Sequence, residues 1–162
     1  MRTAIVSGSF DPITFGHLDI IERSAALFDK VVVALAVNPQ KQGFLPFEER
    51  FNAIKLAVKG IKNVEVVYCH GLLAELCKNY ENPVIVRGAR NGADYEYEST
   101  LAAVNSDLGA KETVILPAKA SLAHISSSYV REILRYGKSV SKYVPESIIP
   151  ILKKYSGEIH EL

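Results

Sequence analysis

The chain has 162 residues, of which 48% are hydrophobic and 23% charged, and its formal net charge is +1 at pH 7. This composition is typical of a globular protein, and the length predicts one compact domain over residues 1–162. Bulk electrostatic binding of nucleic acid usually needs a strong basic excess, so we expect no nucleic-acid partner. The sequence shows neither an apolar run near the roughly 20 residues of a membrane helix nor a signal peptide, so we expect a cytoplasmic protein without a membrane partner.

Five short apolar runs rich in β-branched residues predict five strands. They are residues 3–6, 30–37, 64–68, 83–86 and 113–116. Helical spacing is found at residues 17–28, 46–59, 71–80, 94–108, 127–136 and 146–155, where Pro150 should kink or restart the last helix. Strands that are apolar throughout are typically covered on both faces, and alternation with helices predicts right-handed crossovers. The predicted fold class is α/β, a single doubly wound, Rossmann-like domain with a five-stranded parallel sheet.

Glycine, hydroxyl and cationic residues follow the predicted strands at their carboxyl ends, where open parallel sheets bind ligands. The first strand is followed by SGSFDPITFGH (7–17), the second by NPQK (38–41), the fourth by RGAR (87–90), and the fifth, after a short loop, by HISSS (124–128). A single polar loop is ordinary. A cationic or helix-opening element after four of the five strands predicts a phosphate-binding site at this edge of the sheet.

Two of these stretches open helices. Gly8 lets the backbone approach a ligand, and Gly16 lets the first helix begin close to it, so that free N–H groups and the positive end of the dipole face an anion. This stretch matches neither the Walker pattern nor the dinucleotide fingerprint. A histidine such as His17, taken alone, is more often a helix-capping or surface residue than a catalytic one. In ISSS one serine would serve as an N-cap, and the other hydroxyl and N–H groups predict a second anion site opposite the first.

The cationic residues of this edge differ in how strongly they point to phosphate. Arg87 and Arg90 stand three residues apart after a strand, and guanidinium groups make paired hydrogen bonds to phosphate oxygens. Lys41 lies in a loop of proline, glutamine and glycine that we expect to be mobile, and an ordinary surface lysine is the alternative. Glu98 by itself would be interpreted as a solvated helix residue, and the residue pattern alone does not single it out.

Several stretches together resemble a known family. GSFDPITFGH (8–17) resembles the T-x-G-H form of the H-x-G-H motif of the nucleotidyltransferase superfamily, and ISSS followed by YVRE resembles its second, helix-opening motif. RGARNGADYEYE (87–98), NPQKQ (38–42) and PFEER (46–50) resemble one family within it, the bacterial phosphopantetheine adenylyltransferases. This resemblance implies transfer of AMP from ATP to 4′-phosphopantetheine, giving 3′-dephospho-coenzyme A and pyrophosphate in coenzyme A synthesis. It also implies Mg²⁺ and a homohexamer.

The resemblance also implies roles for matching positions. The catalytic positions are His17, which would stabilise the transition state, Lys41 and Arg90. The positions that contact 4′-phosphopantetheine are Ser9, Lys41, Leu73 and Arg87. The positions that contact ATP are Ser9, Phe10, His17, Gly88, Ala89, Arg90, Glu98, Leu122, Ala123, His124, Ile125, Ser126, Ser127 and Ser128. The sequence departs from the family pattern at Ser7, Ser9 and Gly71, where proline, threonine and an acidic residue are frequent, and Gly71 bears on the pantetheine arm.

The chemistry fits this set of residues. The phosphate of 4′-phosphopantetheine is largely dianionic at neutral pH and can attack the α-phosphorus of ATP without a general base. Catalysis is then predicted to consist of positioning and electrostatic stabilisation. Mg²⁺ would be held mainly by ATP phosphates and water, so we name no metal-binding residue.

Three alternatives stay open at this point. Two belong to the same superfamily, a nicotinamide mononucleotide adenylyltransferase and a glycerol-phosphate cytidylyltransferase, and RGARNGADYEYE argues against both. The third is a non-catalytic regulatory domain that binds a nucleotide. Such a domain would not need Lys41, Arg87 and Arg90 together.

Overall fold

A computed structural model describes residues 1–157 and contains one parallel sheet with an apolar cluster on each face. The strands are β1 (Thr3–Gly8), β2 (Lys30–Val37), β3 (Val64–His70), β4 (Pro83–Ala89) and β5 (Thr113–Pro117). The helices are α1 (Phe15–Leu27), α2 (Phe47–Val58), α3 (Leu73–Cys77), α4 (Gly92–Asp107), α5 (Ser127–Arg135) and α6 (Ile149–Lys153), with short 3-10 helices at Ala120–Leu122 and Glu146–Ile148. The predicted α/β class and the five strands are confirmed.

The strand order is β3-β2-β1-β4-β5, and every neighbouring pair is parallel. The chain builds outward from β1 through β2 to β3 and then returns to the other side of β1 for β4 and β5. The direction of winding therefore reverses between β1 and β4. In open α/β sheets this switch point is where ligands bind, outside the carboxyl ends of the strands.

The two apolar clusters cover the sheet because successive side chains of a strand point to opposite faces. In β1, Ala4 and Val6 belong to the larger cluster, while Ile5 belongs to the smaller one on the other face. The larger cluster includes residues of α1, α2, α5 and α6, and the smaller one includes residues of α3. The continuous apolar runs of the central strands thus reflect burial on both faces, as predicted.

Two helices differ from the prediction. Helix α3 is five residues long, shorter than the predicted 71–80. It begins after Gly71, whose positive φ of 96° is not helical, and it ends at Cys77. The predicted segment 146–155 is divided into the 3-10 helix Glu146–Ile148 and α6, with Pro150 in the first turn of α6. Proline lacks the N–H needed to continue a helix, so the helix restarts there, as predicted. Among residues 1–157, no helix is long and apolar enough to cross a lipid bilayer.

Candidate active site

The turn between β1 and α1 brings His17 to the switch point. Thr14 is the N-cap of α1, and its Oγ1 accepts a hydrogen bond from the His17 backbone N–H at 3.5 Å. In return, Nδ1 of His17 accepts the Thr14 backbone N–H at 3.0 Å. This reciprocal arrangement is a capping box with histidine in the third helical position. His17 therefore caps the helix, and the same contact determines which ring nitrogen carries the proton.

The capping bond fixes the tautomer of His17. A backbone N–H can only donate, so Nδ1 has no proton and the neutral ring carries its proton on Nε2. Burial, followed by the positive charges of Arg87 and Arg90, lowers the pKa of His17 to about 4. The ring also packs edge-on against Phe10, with 5.1 Å between the ring centroids. In the ligand-free protein at neutral pH, His17 is therefore a fixed, uncharged N–H donor.

We expect His17 to titrate well below pH 6. Its pKa is lowered from 6.5 to about 4, so between these values the unfolded chain binds more protons than the folded one. The free energy of unfolding should therefore fall as the pH falls from about 6.5 to about 4. Long-range ¹H–¹⁵N spectra of the ligand-free protein should show the Nε2–H tautomer at pH 6, and an imidazolium at that pH would contradict the assignment. In a His17→Gln variant, the free energy of unfolding should depend less on pH over this range.

A cavity of about 480 Å³ lies between the β1–α1 turn, the end of β4 and the start of α5. We call it the central cavity. Of the predicted ATP-contacting residues, the following line it: Ser9, Phe10, His17, Gly88, Ala89, Arg90, Glu98, Leu122, Ile125, Ser126, Ser127 and Ser128. Ala123 and His124 do not line it, and the His124 ring instead faces Tyr143 at 6.3 Å between centroids. The structure thus brings most of the predicted ATP site to one place.

Arg87 is held in the wall of this cavity by a buried carboxylate. Its Nε and Nη2 donate to the two carboxylate oxygens of Glu98 at 2.6 and 2.8 Å, and its Nη1 donates to the Ser7 carbonyl and hydroxyl at 2.6 and 3.0 Å. Glu98 is only 7% exposed, so it is not a solvated helix residue. The paired hydrogen bonds expected for a phosphate are made to Glu98 instead. Within residues 1–157, one of the five N–H groups of Arg87 has no partner and could bind a ligand.

Arg90 connects two segments at the opening of the cavity. Its Nε donates to Asp94 at 2.9 Å, and its Nη1 donates to the Ile125 carbonyl at 3.4 Å. The hydrogen bond from Arg90 is the largest cause that lowers the pKa of Asp94. Asp94 also accepts the Arg90 backbone N–H at 3.0 Å, so local hydrogen bonds stabilise the turn after β4. The guanidinium is thereby placed between the β4–α4 turn and the segment that precedes α5.

The three serines at the start of α5 have different partners. Ser126 is the N-cap, and its Oγ accepts the Tyr129 N–H at 3.2 Å. The Ser127 hydroxyl donates to the Pro12 carbonyl at 2.8 Å, which ties α5 to the β1–α1 turn. Backbone N–H groups in the first turn of a helix lack partners within the helix, so the start of α5, which lines the central cavity, is where the predicted second anion site would lie.

Arg131 is a further residue of the candidate site, and it was not among the predicted ones. It lines the central cavity, donates to the Asp11 carbonyl at 2.9 Å and donates to the Ser128 hydroxyl at 3.1 Å. The sequence does contain a pattern that identifies it. Residues four apart lie on one helix face, so in SSSYVR the arginine shares a face with Ser127.

Lys41 lies beside the central cavity in a larger one of about 860 Å³, which we call the lysine cavity. The two cavities share Ser9 and Arg131. Arg50 and Arg135 also line the lysine cavity, which makes it strongly cationic. Lys41 is therefore adjacent to the predicted ATP site and outside it.

Leu73 lies on the other side, in a cavity of about 190 Å³ that we call the leucine cavity. Its remaining walls include Leu101 and Asn105, and it shares Ser7, Arg87 and Glu98 with the central cavity. The four positions predicted to contact 4′-phosphopantetheine are thus distributed over three connected cavities.

Comparison with known proteins decides between the families that share such a site. A family model described as cytidylyltransferase-like matches residues 5–133. The phosphopantetheine adenylyltransferase of Oenococcus oeni is 44% identical to this chain, over 94% of this chain and 98% of its own length. Those of Bifidobacterium animalis subsp. lactis and Streptococcus pneumoniae are 43% and 45% identical, over 95% and 91% of this chain and 98% and 93% of their own lengths. The chain belongs to the phosphopantetheine adenylyltransferase family.

Membership of the phosphopantetheine adenylyltransferases confirms the resemblance carried by residues 8–17 and 87–98. The fold alone would not have chosen this family. A solved structure of a putative nicotinate-nucleotide adenylyltransferase from Vibrio parahaemolyticus has a TM-score of 0.74 over 98% of both chains, yet it is only 20% identical in sequence. The same architecture therefore occurs in a protein named for a different nucleotide substrate.

Proposed function

We propose that this chain transfers the adenylyl group of ATP to 4′-phosphopantetheine, giving 3′-dephospho-coenzyme A and pyrophosphate. An oxygen of the 4′-phosphate attacks the α-phosphorus while the bond to the pyrophosphate oxygen breaks. The observation that carries the proposal is the central cavity, which places the His17 donor, Arg90, Arg131 and the starts of α1 and α5 around one space. Relatives at about 44% identity bear the name of this activity.

The central cavity supplies what the reaction lacks in water. Two polyanions repel each other, and the attacking and leaving oxygens must be aligned through the α-phosphorus. Arg90, Arg131 and the N-terminal N–H groups of α5 would take the triphosphate of ATP. His17 would then donate from Nε2 to an α-phosphate oxygen as charge moves onto it. The donor is fixed by the capping box, so little reorganisation is needed during the reaction.

The leucine cavity would receive the pantetheine arm. Leu73, Leu101 and Ala102 provide apolar walls, and Asn105 offers an amide that can bond to an amide of the arm. Arg87 stands at the opening into the central cavity, with one N–H left for the 4′-phosphate. Lys41 would approach the reacting phosphates from the lysine cavity on the other side. The nucleophile would thus enter along the Arg87 wall.

We propose that Mg²⁺ is carried by the triphosphate. Asp94 and Glu98, which line the central cavity, are each paired with an arginine at 2.9 and 2.6 Å. Within residues 1–157 no cluster of three or more histidine, cysteine or acidic side chains has the arrangement of a metal site. Because both carboxylates are already bonded to arginines, the arrangement fits a metal that is held by phosphate oxygens and water. Bound there, Mg²⁺ would neutralise part of the triphosphate charge.

We further propose that this protein forms a homohexamer and acts in the cytoplasm. Helix α4 buries only Glu98 among its own residues. Tyr95, Tyr97 and Val104 on the same helix, and Leu108 directly after its end, are between 40% and 63% exposed. Large apolar side chains gathered on one exposed helix favour a protein surface as their cover. This supports the assembly of several copies.

A pyrophosphate-release assay tests the proposed function. We expect rapid release with ATP and 4′-phosphopantetheine together. Replacing ATP by CTP, or 4′-phosphopantetheine by nicotinamide mononucleotide, should lower kcat/KM by at least about 10²-fold, because the cavities would lose specific polar and apolar contacts. Equal or better turnover with either replacement would overturn the choice of substrates, and no release with any pair would favour a regulatory domain.

A further inference from the structure

Asp11 is a buried carboxylate in the β1–α1 turn that the reaction described above does not use. It is 7% exposed. Its Oδ2 accepts the backbone N–H of Phe44 at 2.8 Å, and its Oδ1 accepts the backbone N–H of Leu45 at 2.8 Å. Phe44 and Leu45 end the loop 38–46, which carries Lys41. One side chain therefore joins the turn of His17 to the loop of Lys41.

Arg50 of α2 completes this connection. Its Nε lies 3.4 Å from Asp11 Oδ1 and donates to the Leu45 carbonyl at 2.8 Å. Its Nη1 donates to the Ser9 carbonyl at 3.4 Å. Arg50 is 5% exposed, so the ion pair with Asp11 is shielded from water. The arginine thus contacts both segments that Asp11 joins.

The Lys41 loop passes directly against this pair. A Cβ at Gly43 would overlap the guanidinium of Arg50, so only glycine fits there without a shift. At the other end, the loop leaves β2 at Val37, which is paired with His70 of β3. The Lys41 N–H donates to the Asn38 carbonyl at 3.0 Å and closes a turn. Both ends of the loop are therefore anchored, one in the sheet and one at the side chain of Asp11.

A buried ion pair contributes little net stability to a fold. The cost of removing two charges from water often cancels their attraction, and apolar replacements can be neutral or stabilising. This pair instead fixes the relative position of two loops, because the carboxylate and the guanidinium bond at defined angles to backbone groups of both. Loops held in this way keep their functional side chains in a fixed relation.

We propose that Asp11 is a positioning residue for adenylyl transfer that acts through Lys41. It holds the Lys41 loop against the β1–α1 turn, so that the Lys41 ammonium and the His17 N–H reach the same phosphates at the same time. Arg50 compensates the charge of Asp11 and holds the same two segments. This inference rests on the proposed function.

A double-variant cycle with Asp11→Asn and Lys41→Ala tests it. Asparagine keeps the shape of Asp11 but loses its charge and one of its two acceptor oxygens. We expect Asp11→Asn alone to lower kcat/KM for 4′-phosphopantetheine by about tenfold or more while the Kd for ATP changes by less than about threefold. In the Lys41→Ala background the same substitution should change kcat/KM by less than about twofold, because residues that act as one unit are not additive.

The control is Glu49→Gln, which removes a carboxylate of the same helix as Arg50. Glu49 pairs with Lys154 at 3.1 Å and lines none of the three cavities, so its kinetics should match the wild type. If Asp11→Asn fails to fold, Arg50→Lys takes its place in the cycle. Lysine keeps the positive charge but lacks the planar guanidinium that bonds to two segments at once.

The outcomes separate the inference from the proposed function. Equal losses from Asp11→Asn in both backgrounds would overturn the inference, because Asp11 would then act independently of Lys41. An unchanged kcat/KM in Lys41→Ala would overturn it as well. Absence of pyrophosphate release by the wild type with ATP and 4′-phosphopantetheine would instead overturn the proposed function.

Discussion

Replacing His17 by alanine should lower kcat by at least about 10²-fold while the Kd for ATP changes by less than about tenfold. The reason is that a fixed Nε2–H donor acts on charge that develops at the α-phosphate, and such a donor contributes little to the ground state. Single donors of this type are worth about 2.7 to 4 kcal/mol of transition-state stabilisation. Steady-state kinetics and ATP calorimetry on one preparation measure both quantities.

The capping box requires a control, because alanine removes the cap together with the donor. Loss of a cap should lower the free energy of unfolding by about 0.5 to 2 kcal/mol. Glutamine in the third helical position completes a capping box, so His17→Gln should recover most of this stability but not kcat. Near-normal turnover in either variant, with a lowered Tm only in His17→Ala, would show that His17 has no part in the mechanism. The turn would then be a phosphate cradle made of backbone groups.

Replacing Arg87 by alanine should impair both activity and stability. We expect a higher KM for 4′-phosphopantetheine and a lower kcat, with a combined loss of about 1.5 to 3 kcal/mol, or one to two powers of ten, while ATP binding changes less. In addition, Glu98 would stay buried without its cation, which should lower the free energy of unfolding by about 3 kcal/mol. Lys41→Ala should show the kinetic change with little loss of stability, because Lys41 is exposed.

The double variant Arg87→Ala with Glu98→Gln separates the two effects. Glutamine removes the buried charge, so the double variant should regain most of the lost Tm and remain impaired in its use of 4′-phosphopantetheine. Denaturant unfolding and initial rates measure these changes. A collapse of ATP affinity with normal binding of 4′-phosphopantetheine would show that our division of the cavities between the two substrates is wrong.

The sequence by itself determined that five strands form a parallel sheet, and at which edge of this sheet the candidate site lies. Residues 30–37 were predicted as a strand and form β2 with the same bounds, because a continuous β-branched run is buried on both faces. Parallel strands place their carboxyl ends together, so polar residues after several strands must meet at one edge. The motifs at residues 8–17 and 87–98 further identified the family. Helix ends were predicted less accurately, as α3 shows, since the backbone conformation of one glycine excludes the predicted start at residue 71.

Only the tertiary structure decided which charged groups are partners. Glu98 pairs with Arg87, eleven residues away, and Asp11 binds backbone N–H groups 33 and 34 residues away. Local patterns cannot choose such partners, because the sequence offers 19 lysines and arginines and 18 acidic residues, and the distances between them depend on how the helices pack on the sheet. For the same reason the separation of Lys41 and Leu73 into cavities on opposite sides of the central cavity could not be predicted. A contact between distant segments exists only once the core has fixed both of them.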